Sequence, residues 1–284
     1  MSKISNLVKL LKSTELSEKL LVRLKKRLEK SKLKLRLAVI QIGRNYVSDV
    51  FISQKKKVAE KVGIYFKLYK FDKKIEKNRL KKKIKKIIEN PLNSGIVIQL
   101  PLPKQFLADD FLNLIPEKKD VDVLSEKSLG KFYQGKLKIL PPTVKGILSL
   151  LKNYKIKLKG KNIVIVGTGK LVGLPLSLQL LKEKATLLIL NEFTKNISFF
   201  TNKADILISG VGKPNLIKSN MIKKGAVVID AGTSQKNGKI TGDIDFRKVS
   251  QKTSYISPVP GGVGPMTVIS LFENLVELNE SNES

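Results

Sequence analysis

The segment Gly167-Thr168-Gly169-Lys170-Leu171-Val172-Gly173 follows the apolar run Asn162-Ile163-Val164-Ile165-Val166 and precedes a helical pattern. Glycines at a strand-to-helix turn let the backbone approach a pyrophosphate, whose charge then sits at the amides of a helix N-terminus. The spacing is G-x-G-x-x-x-G, one residue longer than the common dinucleotide fingerprint. A plain turn, with glycines serving only backbone shape, is the alternative reading. The next strand ends at Asn191-Glu192, and a carboxylate there is placed to accept from a free ribose 2′-hydroxyl. A surface Glu on a loop is the bland alternative. No Arg lies near either position to grip a 2′-phosphate, so the local residues do not favour NADP.

The residue types that are missing narrow the chemistry further. The chain has no Cys and no His, which removes disulfides, thiolate catalysis and His-containing zinc sites; no metal is expected. Proton transfer must fall to Lys, Asp, Glu or Tyr. The formal net charge is +31, which raises nucleic-acid binding as a reading. Against it, the lysines run through the whole chain and only six of the 55 basic residues are Arg, the residue that reads bases and clamps phosphates. A compositional bias toward Lys accounts for the charge, and no specific nucleic-acid partner is expected.

The elements that must position these residues alternate between strand-like and helix-like, which predicts an α/β fold with a largely parallel sheet. Strands are expected at 37–42, 64–71 and 95–100, the last stopped by Pro101 and Pro103. A helix over 45–62 should close on Gly63, and a Lys-rich amphipathic helix should run to Glu89 with its lysines in solvent. The pattern loosens between Lys119 and Pro142. A helix over 144–154, the strand at 162–167 and a second alternating series (strands 185–191, 205–209 and 226–230) follow. An amphipathic helix from Pro265 to about Leu278 ends the chain. The boundaries expected are 1–142 for one domain and 143–264 for a Rossmann-type dinucleotide domain, with residues 265–284 packing back on the first. With 284 residues and 42% hydrophobic content, both can hold a core. No apolar run approaches the roughly 18 residues of a membrane span and no signal peptide is seen, so a cytoplasmic protein is expected.

Two further segments are chemically unusual: Val97-Ile98-Gln99-Leu100-Pro101-Leu102-Pro103 and Pro258-Val259-Pro260-Gly261-Gly262-Val263-Gly264-Pro265-Met266-Thr267. With Lys119-Asp120-Val121-Asp122, the glycine turn, Val228-Ile229-Asp230-Ala231-Gly232 and Gly242-Asp243-Ile244-Asp245-Phe246, they make the chain resemble the methylenetetrahydrofolate dehydrogenase/cyclohydrolase family over nearly its whole length. The resemblance implies an N-terminal α/β folate domain, a Rossmann domain, a cleft between them and a homodimer joined through the dinucleotide domains. It implies oxidation of 5,10-methylenetetrahydrofolate with NADP, hydrolysis of the methenyl product to 10-formyltetrahydrofolate, and thus a place in one-carbon metabolism.

The family's catalytic helix reads S-x-x-Y-x-x-x-K, and here the stretch is Ser48-Asp49-Val50-Phe51-Ile52-Ser53-Gln54-Lys55. By resemblance Lys55 is the catalytic lysine, Gln99 orients it or the adding water, Asp122 holds the pteridine ring, and Ser48, Phe51, Pro260, Gly261 and Gly262 bind substrate. Gly167, Thr168, Gly169, Gly173, Glu192, Gly232 and Thr233 would hold the dinucleotide. Ser48 and Lys55 share a helix face, and Gln99 ends its strand, so one pocket can receive all three. On composition alone Lys55 would be one more solvated lysine beside Lys56 and Lys57. Phe51 stands where the family has Tyr, which predicts reduced or unbalanced activity. Thr168 and Glu192 stand where many members carry Arg, which predicts a weakened NADP preference or a switch to NAD. Smaller departures are Pro142 and Val144, around Thr143, and Val123 where a Gly is usual. A relative keeping only the cyclohydrolase, or only an NAD-linked dehydrogenase, is the alternative.

Overall fold

The computed structural model describes residues 8–280. In chain order its strands are β1 (Lys9–Leu10), β2 (Arg36–Ile42), β3 (Tyr65–Phe71), β4 (Gly95–Ile98), β5 (Asn162–Val166), β6 (Thr186–Leu190), β7 (Ile206–Ser209), β8 (Val227–Asp230), β9 (Ser234–Lys236), β10 (Lys239–Thr241) and β11 (Tyr255–Ile256). The chain forms two compact units. The N-terminal unit is Ser17–Pro142 with the described part of Val268–Ser284; the Rossmann unit is Thr143–Thr267 with the described part of the first 16 residues.

The N-terminal unit is built on a three-stranded parallel sheet in the order β3-β2-β4. Alternation along β2 decides its layers, because successive side chains point to opposite faces. Leu37 and Val39 pack with Leu24 and Leu28 of helix Thr14–Ser31, with Ile52 and Ala59 of helix Tyr46–Val62, and with Phe272 and Leu275 of the last helix. Ala38, Ile40 and Ile42 pack instead on Leu80, Ile84, Ile87 and Ile88 of helix Lys77–Glu89. The lysines of that helix face solvent except Lys81, which is half-buried against Asp110.

The Rossmann unit carries a six-stranded parallel sheet in the order β1-β11-β8-β7-β5-β6. Ile163, Ile165, Ile206 and Ile208 face helices Pro142–Asn153 and Gly173–Lys182, while Val164, Leu207 and Val228 face Ile217, Ile222 and Val249. The chain leaves β5 for β6 on one side and returns to β7 on the other. That reversal opens a crevice at the carboxyl ends of β5 and β7, where ligands bind in open α/β sheets.

Several expectations are corrected. The last helix, Val263–Glu280, is not amphipathic: Val268 to Val276 are buried in every direction, and Asn274 inside it donates Nδ2 to Val121 O at 3.0 Å and Leu140 O at 2.7 Å. The third strand stops at Ile98, although Gln99 N still donates to Ile40 O at 2.9 Å. The loosened stretch holds a helix, Glu126–Tyr133, capped by Ser125. Helix Thr14–Ser31 and the β9–β10 hairpin are elements beyond those expected. The hairpin turns on Asn237-Gly238, both at positive φ (50° and 71°), the conformation a two-residue turn demands. Among the described residues no helix is long and apolar enough to cross a membrane.

Candidate active site

Helix Tyr46–Val62 starts where Asn45 accepts from Ser48 N and stops at Gly63, which is left-handed at φ 82°. Its buried stripe is Ser48, Ile52, Lys55, Ala59 and Val62, spaced by four and three residues as one helix face requires. Lys55 therefore points inward and is only 7% exposed, whereas its neighbours Lys56 and Lys57 are in solvent. The solvated-lysine reading fails on that number.

Burying an ammonium is costly unless it finds partners. Lys55 Nζ donates to Gln99 Oε1 at 2.9 Å. Gln99 in turn donates Nε2 to Leu100 O at 2.9 Å, and Ser48 Oγ donates to the same carbonyl at 3.2 Å. The amide is thus fixed, with its oxygen toward the lysine. Burial pulls the Lys55 amine below the usual lysine range, partly opposed by the Asp122 charge. Burial likewise pushes the Asp122 carboxyl above the usual range, against the pull of Lys55 and with Asp120 adding to the rise. Two groups of opposite type are each driven toward the neutral form, the arrangement proton-transfer sites use. Phe51, one turn before Lys55, is half-buried and packs against the core beneath the helix.

The loop carrying Asp122 is held from below. Asp120 is buried and accepts from Leu124 N (3.1 Å to Oδ2) and Ser125 N (2.9 Å). Val123 lies at φ 57° with its side chain fully enclosed. A β-branched residue in this region costs about 1–2 kcal/mol, and burial of the Val side chain offsets a comparable amount. The loop therefore keeps a left-handed residue at this position without the usual glycine.

In the Rossmann unit, Gly167 lies at φ 106°, and a Cβ there would fall 2.8 Å from Gly210 O. A Cβ at Gly173 would fall 1.8 Å from Gly167 O, so the turn closes only with glycine at both places. Gly169 differs: a Cβ on it would meet nothing within 4 Å. The turn is therefore tight at its base and open at its tip, with Thr168 and Gly169 exposed before a ten-residue helix. This fits a bound pyrophosphate. Gly167 N donates to Leu190 O at 2.8 Å, which brings the end of β6 beside the turn; Glu192, two residues on, is exposed.

Gly232 and Thr233 follow β8 at the same edge of the sheet. Asp230 and Asp243, which enter the sequence pattern only as matching positions, are both buried there. Burial pushes the Asp230 carboxyl up to about 7; backbone N–H donors from Asp243, Ile244 and Gly232 oppose the rise and the Asp243 charge adds to it. The usable signal is a glycine near each acid, Gly232 two residues after Asp230 and Gly242 directly before Asp243. Pro260, Gly261 and Gly262 also belong to the Rossmann unit. Gly261 O accepts from Ser13 N at 3.0 Å and Ser13 Oγ at 2.9 Å. Lys55, Gln99, Ser48, Phe51 and Asp122 are thus gathered in one unit, and the remaining candidates lie in the other.

Residues 11–122 match the model of the tetrahydrofolate dehydrogenase/cyclohydrolase catalytic domain, and residues 141–283 match that of its NAD(P)-binding domain. The chain is 45% identical to the bifunctional protein FolD of Mesoplasma florum across 93% of both chains. Its fold matches the FolD methylenetetrahydrofolate dehydrogenase/cyclohydrolase of Campylobacter jejuni with a TM-score of 0.90 and 38% identity, covering 97% of this chain and 99% of that one. The Trypanosoma brucei enzyme, solved with NADP and an inhibitor, matches with a TM-score of 0.91 and 27% identity over 98% and 99% of the two chains. This chain belongs to the tetrahydrofolate dehydrogenase/cyclohydrolase family.

Proposed function

We propose that this chain oxidises 5,10-methylenetetrahydrofolate to the 5,10-methenyl form with a nicotinamide dinucleotide, and hydrolyses that product to 10-formyltetrahydrofolate. The observation that carries the reading is the buried Lys55 amine held by Gln99 beside Asp122, in a chain matching the family's catalytic domain. The Gly167–Gly173 turn, with Gly232 and Thr233, would hold the dinucleotide, whose nicotinamide would supply the hydride acceptor.

Hydrolysis is where the protein's own groups act. Neutral Lys55 donates one N–H to Gln99 Oε1, which leaves its lone pair for a water proton. As the water oxygen bonds to the methenyl carbon, Lys55 takes that proton. The remaining hydroxyl proton passes to the folate N5 as the bond from carbon to N5 breaks, and Lys55 returns its proton to solvent. Ser48, through Leu100 O, and Gln99 hold the amine in register. Asp122 is assigned to the pteridine ring, whose N–H groups a carboxylate can accept. Phe51 keeps an aromatic surface but offers no hydroxyl. Phe51→Tyr should raise one of the two activities about 3-fold or more, by roughly the 0.5–1.5 kcal/mol of one hydrogen bond; identical kinetics for both would refute that role.

Glu192 and Thr168 favour NAD over NADP in this reading, because Glu192 accepts from a free 2′-hydroxyl and repels a 2′-phosphate. The Rossmann unit also presents an uncovered edge. β6 ends the sheet, Leu188 and Ile189 on it are exposed, and Phe193 just beyond is 84% exposed. An exposed apolar edge strand is a template for pairing, and a second copy of the chain is the proposed partner. Sedimentation at micromolar concentration should give a dimer; a monomer there would defeat the assignment.

A further inference from the structure

Asp243 lies inside the Rossmann unit with no exposed surface, and no step of the reaction described above uses it. Its carboxylate gathers the segment that follows β7. Oδ2 accepts from Ser209 Oγ at 2.8 Å and Val211 N at 2.7 Å, and Oδ1 accepts from Lys213 N at 2.9 Å. That segment forms one wall of the crevice at the sheet's point of reversal, the other wall being the glycine turn after β5. The two walls touch: a Cβ on Gly167 would fall 2.8 Å from Gly210 O, and one on Gly210 would fall 2.8 Å from Val172 Cγ1.

The same carboxylate meets the segment after β8. A Cβ on Gly232 would fall 2.1 Å from Asp243 Oδ1, so only glycine leaves room for the acid. Asp243 is itself seated by Asp230, whose Oδ1 accepts from both Gly232 N and Asp243 N at 3.0 Å. Asp230 Oδ2 accepts from Ile244 N at 3.0 Å, and a Cβ on Gly242 would fall 2.0 Å from that oxygen. Two buried acids and two obligatory glycines thus lock together the loops after β7 and β8.

We propose that Asp243 is a positioning residue for the dinucleotide: it sets the loop Gly210–Lys213 against the glycine turn and thereby sets cofactor affinity, while leaving methenyl hydrolysis untouched. The proposal rests on the dehydrogenase/cyclohydrolase reading. Asp243→Asn keeps the shape of the side chain but turns one acceptor into a donor facing a backbone N–H. Loss of a charge-assisted bond of this kind predicts a dinucleotide dissociation constant raised about 10-fold or more.

The test titrates the full-length wild type and Asp243→Asn with NAD and with NADP by calorimetry, and measures KM for dinucleotide, KM for methylenetetrahydrofolate, and methenyl hydrolysis. Expected is a weaker dinucleotide affinity and a raised dinucleotide KM, with folate KM and hydrolysis within about 2-fold of wild type. Unchanged dinucleotide affinity, or hydrolysis falling in parallel with it, overturns the proposal. Should Asp243→Asn not fold, Ser209→Ala removes one of the three donors and should raise the dinucleotide constant in the same direction by a smaller factor; no rise there overturns the proposal as well. A wild type that binds neither dinucleotide would defeat the underlying reading instead, so the two failures are distinguishable.

Discussion

Lys55→Met should lower methenyl hydrolysis by about 10²–10⁴-fold, the range that a positioned acid–base group supplies, while the chain stays folded. Methionine matches the length of the lysine stem and fills the same enclosed space. The substitution removes a polar amine whose burial opposes folding, and it leaves Gln99 Oε1 without its 2.9 Å donor, at a cost of about 1–3 kcal/mol. These effects oppose each other, so the melting temperature should shift by only a few degrees. Oxidation of the methylene bridge transfers a hydride and asks no side chain for a proton, so it should fall less than hydrolysis. The wild-type hydrolysis rate should rise with pH as the neutral amine forms. Burial lowers the Lys55 amine below the ordinary lysine range, so that rise should come at lower pH than a solvated lysine would give. Hydrolysis by the Met variant within about 3-fold of wild type would remove Lys55 from the mechanism.

Glu192→Arg should carry the cofactor preference toward NADP. The exposed Glu192 lies two residues beyond Leu190, the end of β6, whose carbonyl accepts from Gly167 N of the glycine turn. Exchanging it for a guanidinium replaces repulsion of a 2′-phosphate by a charge-assisted and often bidentate contact. Such contacts contribute about 1.5–3 kcal/mol, and solvent screening at an exposed site reduces that. The ratio of kcat/KM for NADP to that for NAD should therefore rise about 10-fold or more at low salt. An unmoved ratio would show that Glu192 does not face the ribose.

Much of this architecture was legible because it rests on local patterns. The apolar run before Gly167 and the four-and-three spacing of Ser48, Ile52 and Lys55 each specify an element by periodicity alone. Lys55 itself was not legible from composition, since in a chain of +31 net charge a lysine among lysines carries no signal. Only the family motif singled it out, and burial supplies the physical reason. What escaped was structure whose cause is tertiary. The last helix reads as amphipathic, yet its polar face is enclosed and its Asn274 is satisfied by carbonyls more than 130 residues away in sequence. The roles of Asp230 and Asp243 depend on contacts across 13 and 34 residues, which no spacing rule reports. Helix Thr14–Ser31, with Leu21, Leu24 and Leu28 on one face, and the Asn237-Gly238 turn carry local signals of their own, a helical leucine spacing and a two-residue turn pair.

Both activities can be measured on one preparation of the full chain, by following methenyl formation from 5,10-methylenetetrahydrofolate with NAD and NADP in parallel and methenyl hydrolysis beside it. Turnover is expected in both reactions, with NAD giving the faster oxidation at matched concentrations. Hydrolysis with no oxidation by either dinucleotide would leave a cyclohydrolase alone, and the absence of both reactions in the folded protein would overturn the assigned function.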